Sequence, residues 1–343
     1  MKIKTLEDFQ TKQILEKIKT SYVRVKKMNN ILEITYISNP NRECHIQKLD
    51  KDTYLNLKTG EVKECNHIES RADNSLQVSQ SLKRLRDYIN NNVGDPTKCL
   101  WVTLTYEREG IEKKPMRDTE RLYSDTKEFI RKLRKTLGHF EYIIAREPQG
   151  DGTWHCHCIF IFTKKYPYIP NKKLAELWGQ GFTKTQKLNN VDNVGAYLTA
   201  YLGDMSLAEC KKYNINYSNK DIKEVEEIDG IKLNKPKKFI KGARLCMYPP
   251  KFNIYTVSKG IKKPITYDKI YQDVLDKYVG DKKPTYQKGI VLEFNNENDD
   301  EIKKINCSNL SKEDFTYLSS KKLFNTNSNQ KFIVYENYNL KRN

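Results

Sequence analysis

The 343-residue chain carries 62 Lys and Arg against 44 Asp and Glu, a surplus of +18, with a mean hydropathy of −0.80. Such a balance favours a polyanionic partner, and the absence of a long apolar run or amphipathic anchor argues against a membrane. No Gly-x-x-x-x-Gly-Lys-Ser/Thr stretch occurs, so nucleotide hydrolysis is not encoded and any unwinding falls to another protein. Tyrosine is plentiful, 22 against 12 Phe, and exposed tyrosines can stack on unpaired bases. An AT-rich coding sequence also enriches Tyr, Asn and Lys, but it enriches Glu with Lys and accounts poorly for the charge. Eight cysteines without a Cys-x-x-Cys pair, and a start at Met1–Asp8 with no apolar signal core, lead us to expect a reducing cytoplasm. Cys44, His45, Cys65 and His67 form a small cluster in sequence whose spacings fit no common zinc pattern.

Three regions are expected. Residues 1–95 form an N-terminal accessory region of strands, such as Ile31–Ile37, followed by a helix over 75–91. In that helix Leu76, Leu82, Leu85 and Ile89 face inward while Lys83, Arg84 and Arg86 face out. The central region, 96–205, reads strand 99–106, helix 119–137, strand 140–147, strand 154–162, helix 171–178, strand 181–188 and helix 193–203. Helix 119–137 buries Leu122, Phe129, Ile130, Leu133 and Leu137, and Gly138 stops it. This β-α-β-β-α-β order implies an α+β fold, a ferredoxin-like antiparallel sheet with helices on one face and strand 154–162 beside strand 99–106. Beyond 205 the chain is lysine-rich. Lys235–Lys238 and Ser258–Pro264 read equally as DNA-backbone contacts or solvated loops, and the tail from about 281 is rich in Asn, Lys and Asp, consistent with partial disorder.

Two clusters carry chemistry. Trp154-His155-Cys156-His157-Cys158 runs into an apolar strand. Alternation puts His155 and His157 on one face and the two cysteines on the other, so the four cannot converge on one zinc. The turn Pro148–Gly152 folds Glu147 back beside the imidazoles. By itself a His-x-His pair is equally a hydrogen-bonded core feature. With Glu147 it supplies two imidazoles and a carboxylate, which suit Mg²⁺ or Mn²⁺ with positions left for a phosphate. Further on, Asp192 is placed to cap a helix in which Tyr197 and Tyr201, four apart, share a face. The pair is either a packed stripe or a pair of phenolic nucleophiles toward phosphorus.

In order, Leu100–Tyr106 with its Thr-Leu-Thr core, His155-Cys156-His157 with Glu147 eight residues upstream, and Tyr197-Leu198-Thr199-Ala200-Tyr201 resemble the motifs of the HUH endonuclease superfamily. The likeness is specifically to rolling-circle replication initiator (Rep) proteins of phage and plasmid type, over about residues 96–205. Two departures stand out: the family usually has lysines where this chain has Ala200 and Asp204, and a bulkier apolar residue at Cys156. The resemblance implies a metal-dependent, site-specific DNA endonuclease and strand transferase. In it His155, His157 and Glu147 hold Mg²⁺ or Mn²⁺, and Tyr197 or Tyr201 forms a 5′-phosphotyrosine and frees a 3′-hydroxyl. Implied partners are single-stranded or supercoiled origin DNA, a host or element-encoded helicase and a DNA polymerase. Conjugative relaxases and single-strand transposases share this chemistry, and a non-catalytic nucleic-acid-binding module is the reading from a different class.

Overall fold

A computed structural model describes residues 2–38, 46–65, 75–108, 114–186, 188, 195, 202–216, 222–228, 231–293 and 330–341. The protein is α+β with antiparallel sheets, and it divides into two compact units. One comprises Met1–Glu69, Leu76–Lys83 and Pro264–Asn343; the other comprises Ser70–Ser75 and Arg84–Lys263.

The first unit opens with β1 (Lys2–Thr5), α1 (Asp8–Lys17), β2 (Tyr22–Met28) and β3 (Ile31–Ile37). Asn29, at φ 49°, makes the turn between β2 and β3, a left-handed conformation that asparagine tolerates better than most residues. A small meander follows, β4 (Ile46–Lys48), β5 (Thr53–Asn56) and β6 (Val62–Glu64). The helix α2 (Ser75–Asn92) covers the span expected from its apolar period, with Leu85 and Ile89 fully buried.

The second unit contains β7 (Cys99–Tyr106), α3 (Thr119–Leu137), β8 (Glu141–Pro148), β9 (Trp154–Ile161), α4 (Asn171–Trp178) and β10 (Gly181–Gln186). These agree with the elements read from sequence to within two residues. Then come β11 (Met205–Ser206), α5 (Leu207–Lys212), β12 (Ile222–Ile228), β13 (Ile231–Ile240) and β14 (Tyr255–Val257). The main sheet is ordered β10-β7-β9-β8-β14, antiparallel throughout, so β9 is central and lies beside β7. Lys235–Lys238 falls within β13, not in a loop, and there Lys238 pairs with Glu224 at 3.1 Å. Ser258–Lys263 does follow β14 as a loop, tied down by Glu141, which accepts from the Ser258 hydroxyl and the Gly260 N–H.

The chain then returns to the first unit with β15 (Ile265–Ile270), α6 (Tyr271–Val274, continued by one π turn), β16 (Tyr286–Glu293) and β17 (Gln330–Asn339). The stretch after 281 thus supplies two strands of a six-stranded sheet ordered β1-β16-β17-β3-β2-β15. Ile14, Val25, Leu32, Val274, Ile290 and Phe332 fill its core.

In the second unit both long helices lie on one face of the sheet. Asp118 caps α3 by accepting from the N–H groups of Glu120 and Arg121. The helix then buries Leu122, Thr126, Phe129, Ile130 and Leu133. Phe129 lies 6.2 Å from Phe160 of β9 and 5.8 Å from Trp178 of α4, ring centre to ring centre. Gly179, at φ 66°, ends α4, and Gly181, at φ 143°, lets the backbone run close against Thr105–Glu107. Cys156 and Cys158 sit on this helix-covered face, fully buried. Burial pushes the Cys156 thiol up to about 12, which leaves it an inert packing group. Phe129→Ala should cost about 3–5 kcal/mol in urea unfolding, the usual cost of an aromatic cavity, whereas a loss under about 1 kcal/mol would mean that α3 does not close this core.

Candidate active site

The strands β8 and β9 are joined by the turn expected at 148–152, with Gln149 N–H donating to Thr153 O (2.8 Å) and Gly152 N–H to Gln149 O (2.8 Å). The resulting register sets Glu147 opposite His155 and Ala145 opposite His157. Across β7, Thr105 faces His155 and Thr103 faces His157. Directly opposed residues share a face, so Glu147, His155, His157, Thr103 and Thr105 all lie on the side away from α3 and α4.

The structure brings Glu147 and the two histidines together. His157 Nε2 lies 2.7 Å from Glu147 Oε2, and its Nδ1 lies 3.4 Å from Thr103 Oγ1. A neutral ring donating through Nε2–H leaves Nδ1 to accept from the threonine. The Trp101 ring packs edge-on at 6.4 Å. Burial pushes His155 down to about 4, against the opposing pull of Glu147, so its ring is neutral with a lone pair to offer at ordinary pH. Burial also opposes the charge on Glu147, but the hydrogen bond from His157 and the charge of Arg244 outweigh it and hold the carboxyl below its ordinary range.

Arg244 was not foreseen from sequence, although a lone charge within Gly242-Ala243-Arg244-Leu245-Cys246-Met247 is a hint of burial. It is 5% exposed. Its Nη2 lies 3.2 Å from Glu147 Oε1 and 3.5 Å from Glu209 Oε2, its Nη1 donates to Pro148 O (2.6 Å) and its Nε to Asp204 O (3.1 Å). The backbone N–H of Arg244 donates to Gly203 O, and Glu209 also accepts from Gly150 N–H in the hairpin turn. One guanidinium therefore ties the end of β8 to residues 203–209.

Tyr197, Tyr201 and Ala200 lie outside the described residues, as do Cys44, His45 and His67. The described residues flanking the tyrosine segment are anchored within the second unit. Gly195 N–H donates to Asn90 Oδ1 at 3.0 Å. The buried Tyr248 hydroxyl lies 3.0 Å from Leu202 O and 2.9 Å from Arg146 O. Asp204, standing where a lysine is usual, accepts from Gly242 N–H.

The donor set of one carboxylate and two imidazoles fits a divalent cation. As the structure stands, no group of three His, Cys, Asp or Glu side chains among the described residues defines a metal site; the Glu147 oxygens are engaged by His157 and Arg244.

Residues 99–206 match a family model of replication-associated proteins, the ORF2 type. The matched stretch contains Glu147, both histidines of the pair, Tyr197 and Tyr201. It supports a role in initiating replication and, with it, interaction with DNA. No curated protein and no solved structure matches the chain. No described helix is long and apolar enough to cross a membrane.

Two outcomes are expected. Arg244→Ala strands the Glu147 carboxylate in the interior and should destabilise the second unit by about 3–5 kcal/mol, as is usual when one partner of a buried pair is removed. Arg244→Lys keeps the charge but cannot reproduce the spread of donors, so it should fall between wild type and alanine. A near-neutral alanine variant in thermal unfolding would show that the clamp is dispensable. The second concerns pH, in chelator. His155 has an ordinary value of 6.5 and a folded value of about 4. The unfolded state therefore binds more protons between these limits, and stability should fall as pH drops from 6.5 towards 4. His155→Gln should flatten that slope, and an unchanged slope would mean that other groups set it.

Proposed function

We propose that the chain is a rolling-circle replication initiator that nicks single-stranded origin DNA by tyrosine attack and later rejoins the strand. The observation that carries this reading is the opposition of Glu147 and His155, with His157 hydrogen-bonded to the same carboxylate, on one sheet face inside the stretch that resembles replication-associated proteins. The strand order, in which the fourth strand of the β-α-β-β-α-β run lies beside the first, then the third and the second, is that of a ferredoxin-like sheet and supports the HUH endonuclease assignment.

In the proposed reaction the phenolic oxygen of Tyr201 or Tyr197 bonds to the scissile phosphorus and loses its proton. The bond from phosphorus to the 3′ oxygen breaks, and that oxygen takes up a proton. A 5′-phosphotyrosine and a 3′-hydroxyl result, and reversal by a new 3′-hydroxyl reseals the strand without external energy. Mg²⁺ or Mn²⁺ held by His155, His157 and Glu147 would supply charge neutralisation at the phosphate. Arg244 keeps the Glu147 carboxylate ionised and fixed, and Thr103 orients the His157 ring. Two tyrosines would allow one to cut a regenerated site while the other retains the old end. A helicase and a DNA polymerase are the expected partners, and the cytoplasm the expected location.

The test is a covalent adduct. The protein is incubated with Mn²⁺ and labelled single-stranded oligonucleotides tiling the replicon that encodes it, then resolved under denaturing conditions. Wild type should form an adduct that chelator abolishes. His155→Ala and His157→Ala should each lose it while binding DNA within a few fold. Tyr197→Phe and Tyr201→Phe should each retain some, and the double variant none, because phenylalanine keeps the ring but removes the nucleophilic atom. Binding should also weaken steeply with salt as phosphate contacts release counterions. DNA binding without any adduct would favour the non-catalytic module instead.

A further inference from the structure

The histidine face of the sheet continues past the histidines to its edge. In β10, Phe182 lies opposite Thr105 and Lys184 opposite Thr103. Two cross-strand rows follow. One runs Phe182, Thr105, His155, Glu147; the other runs Lys184, Thr103, His157, Ala145. Two strand spacings separate Phe182 from His155, roughly 10 Å.

The burial along β10 shows which way these side chains point. Thr183, between them, is buried and bonded to Asn171 of α4. Phe182 is 64% exposed and Lys184 is exposed. A lysine on an edge strand is an ordinary guard against strand pairing, and a single exposed apolar side chain needs no explanation by itself. What needs one is a bare aromatic ring in register with the candidate catalytic histidine, on the same face, beside a cation.

We propose that Phe182 is a stacking platform for a base of single-stranded DNA next to the scissile phosphate, with Lys184 contacting the adjoining backbone. This rests on the nickase reading and adds to it the residues that hold the strand across the sheet. The occupant follows from chemistry. An aromatic face with a neighbouring ammonium matches an unpaired base with its phosphate, and the +18 surplus and the likeness to replication proteins favour a nucleic acid over an apolar partner. A base paired within a duplex hides the face that the ring would cover, so the platform selects single strands.

The experiment measures anisotropy of a fluorescein-labelled oligothymidylate in chelator, where no cleavage interferes. Phe182→Ala should weaken binding about 5- to 100-fold, the range for losing one base–aromatic stack, with an unchanged salt slope. Phe182→Trp should bind at least as tightly as wild type. Lys184→Ala should weaken binding and lower the slope of log affinity against log salt by about 0.7, one phosphate contact on a single strand. A 5-iodouracil substituted beside the cut site should crosslink to Phe182. Affinity within twofold for Phe182→Ala, or an equal loss for Phe182→Trp, overturns the platform. Tighter binding of oligouridylate than of oligothymidylate overturns DNA as its occupant. Because the readout is binding without metal, it fails separately from the adduct test: loss of the adduct with stacking intact refutes the chemistry alone.

Discussion

The buried pair between Arg244 and Glu147 is the constraint on which the candidate site depends. A carboxylate 6% exposed stays charged only if the cost of desolvation is met by close donors. His157 and Arg244 meet it, each at a different oxygen of the group. In doing so Arg244 must come from a stretch far along the chain, and the carbonyls of Pro148 and Asp204 fix its fork. The same side chain that keeps Glu147 ionised thus fixes where the backbone after Tyr201 resumes. Charge at the carboxylate and the anchoring of the segment beyond the tyrosines are one structural fact.

Antiparallel register is the second organising element. Because opposed residues in neighbouring strands share a face, the placements of Glu147, His155, Thr103 and Phe182 are coupled, and a one-residue slip of β8 or β9 would carry its site residues to the helix side. The turn at 148–152 and the tight packing of Phe129, Phe160 and Trp178 hold that register from the turn and from beneath the sheet.

Much of the second unit was legible in sequence, and for definite reasons. The strands β7 and β9 are apolar runs with clear ends, and α3 carries a strong helical period between Asp118 and Gly138. The proximity of Glu147 to the histidine pair followed from a short turn and period-two alternation. Arg244 was not legible, since nothing local to residues 242–247 says that its partners lie at 147, 148, 204 and 209. Nor was β14 as a fifth strand: three residues, Tyr255–Val257, carry no periodic signal, and only pairing with Ala145–Ile143 makes them a strand. The stretch after 281 reads as polar, yet β16 and β17 place Ile290, Leu292, Phe332 and Val334 in a core. Short apolar runs between polar ones reveal their role only when a partner strand is known. The edge position of Phe182 likewise emerges from the strand order, not from the strand.

The first unit is sewn from both ends of the described chain: Lys2 lies opposite Glu293 and Ile31 opposite Asn339. Its sheet lacks three of six strands until residues beyond 264 have been made, whereas nearly all of the second unit is one continuous stretch, Arg84–Lys263. Long-range pairing is slow because loop closure must be met before any contact forms. During vectorial synthesis the inserted unit, with its histidine face, can therefore condense while β1, β2 and β3 still wait for partners. The waiting strands expose unpaired edges of the kind that aggregate, so the order of emergence from the ribosome places the hazard on the outer unit and shelters the candidate nickase.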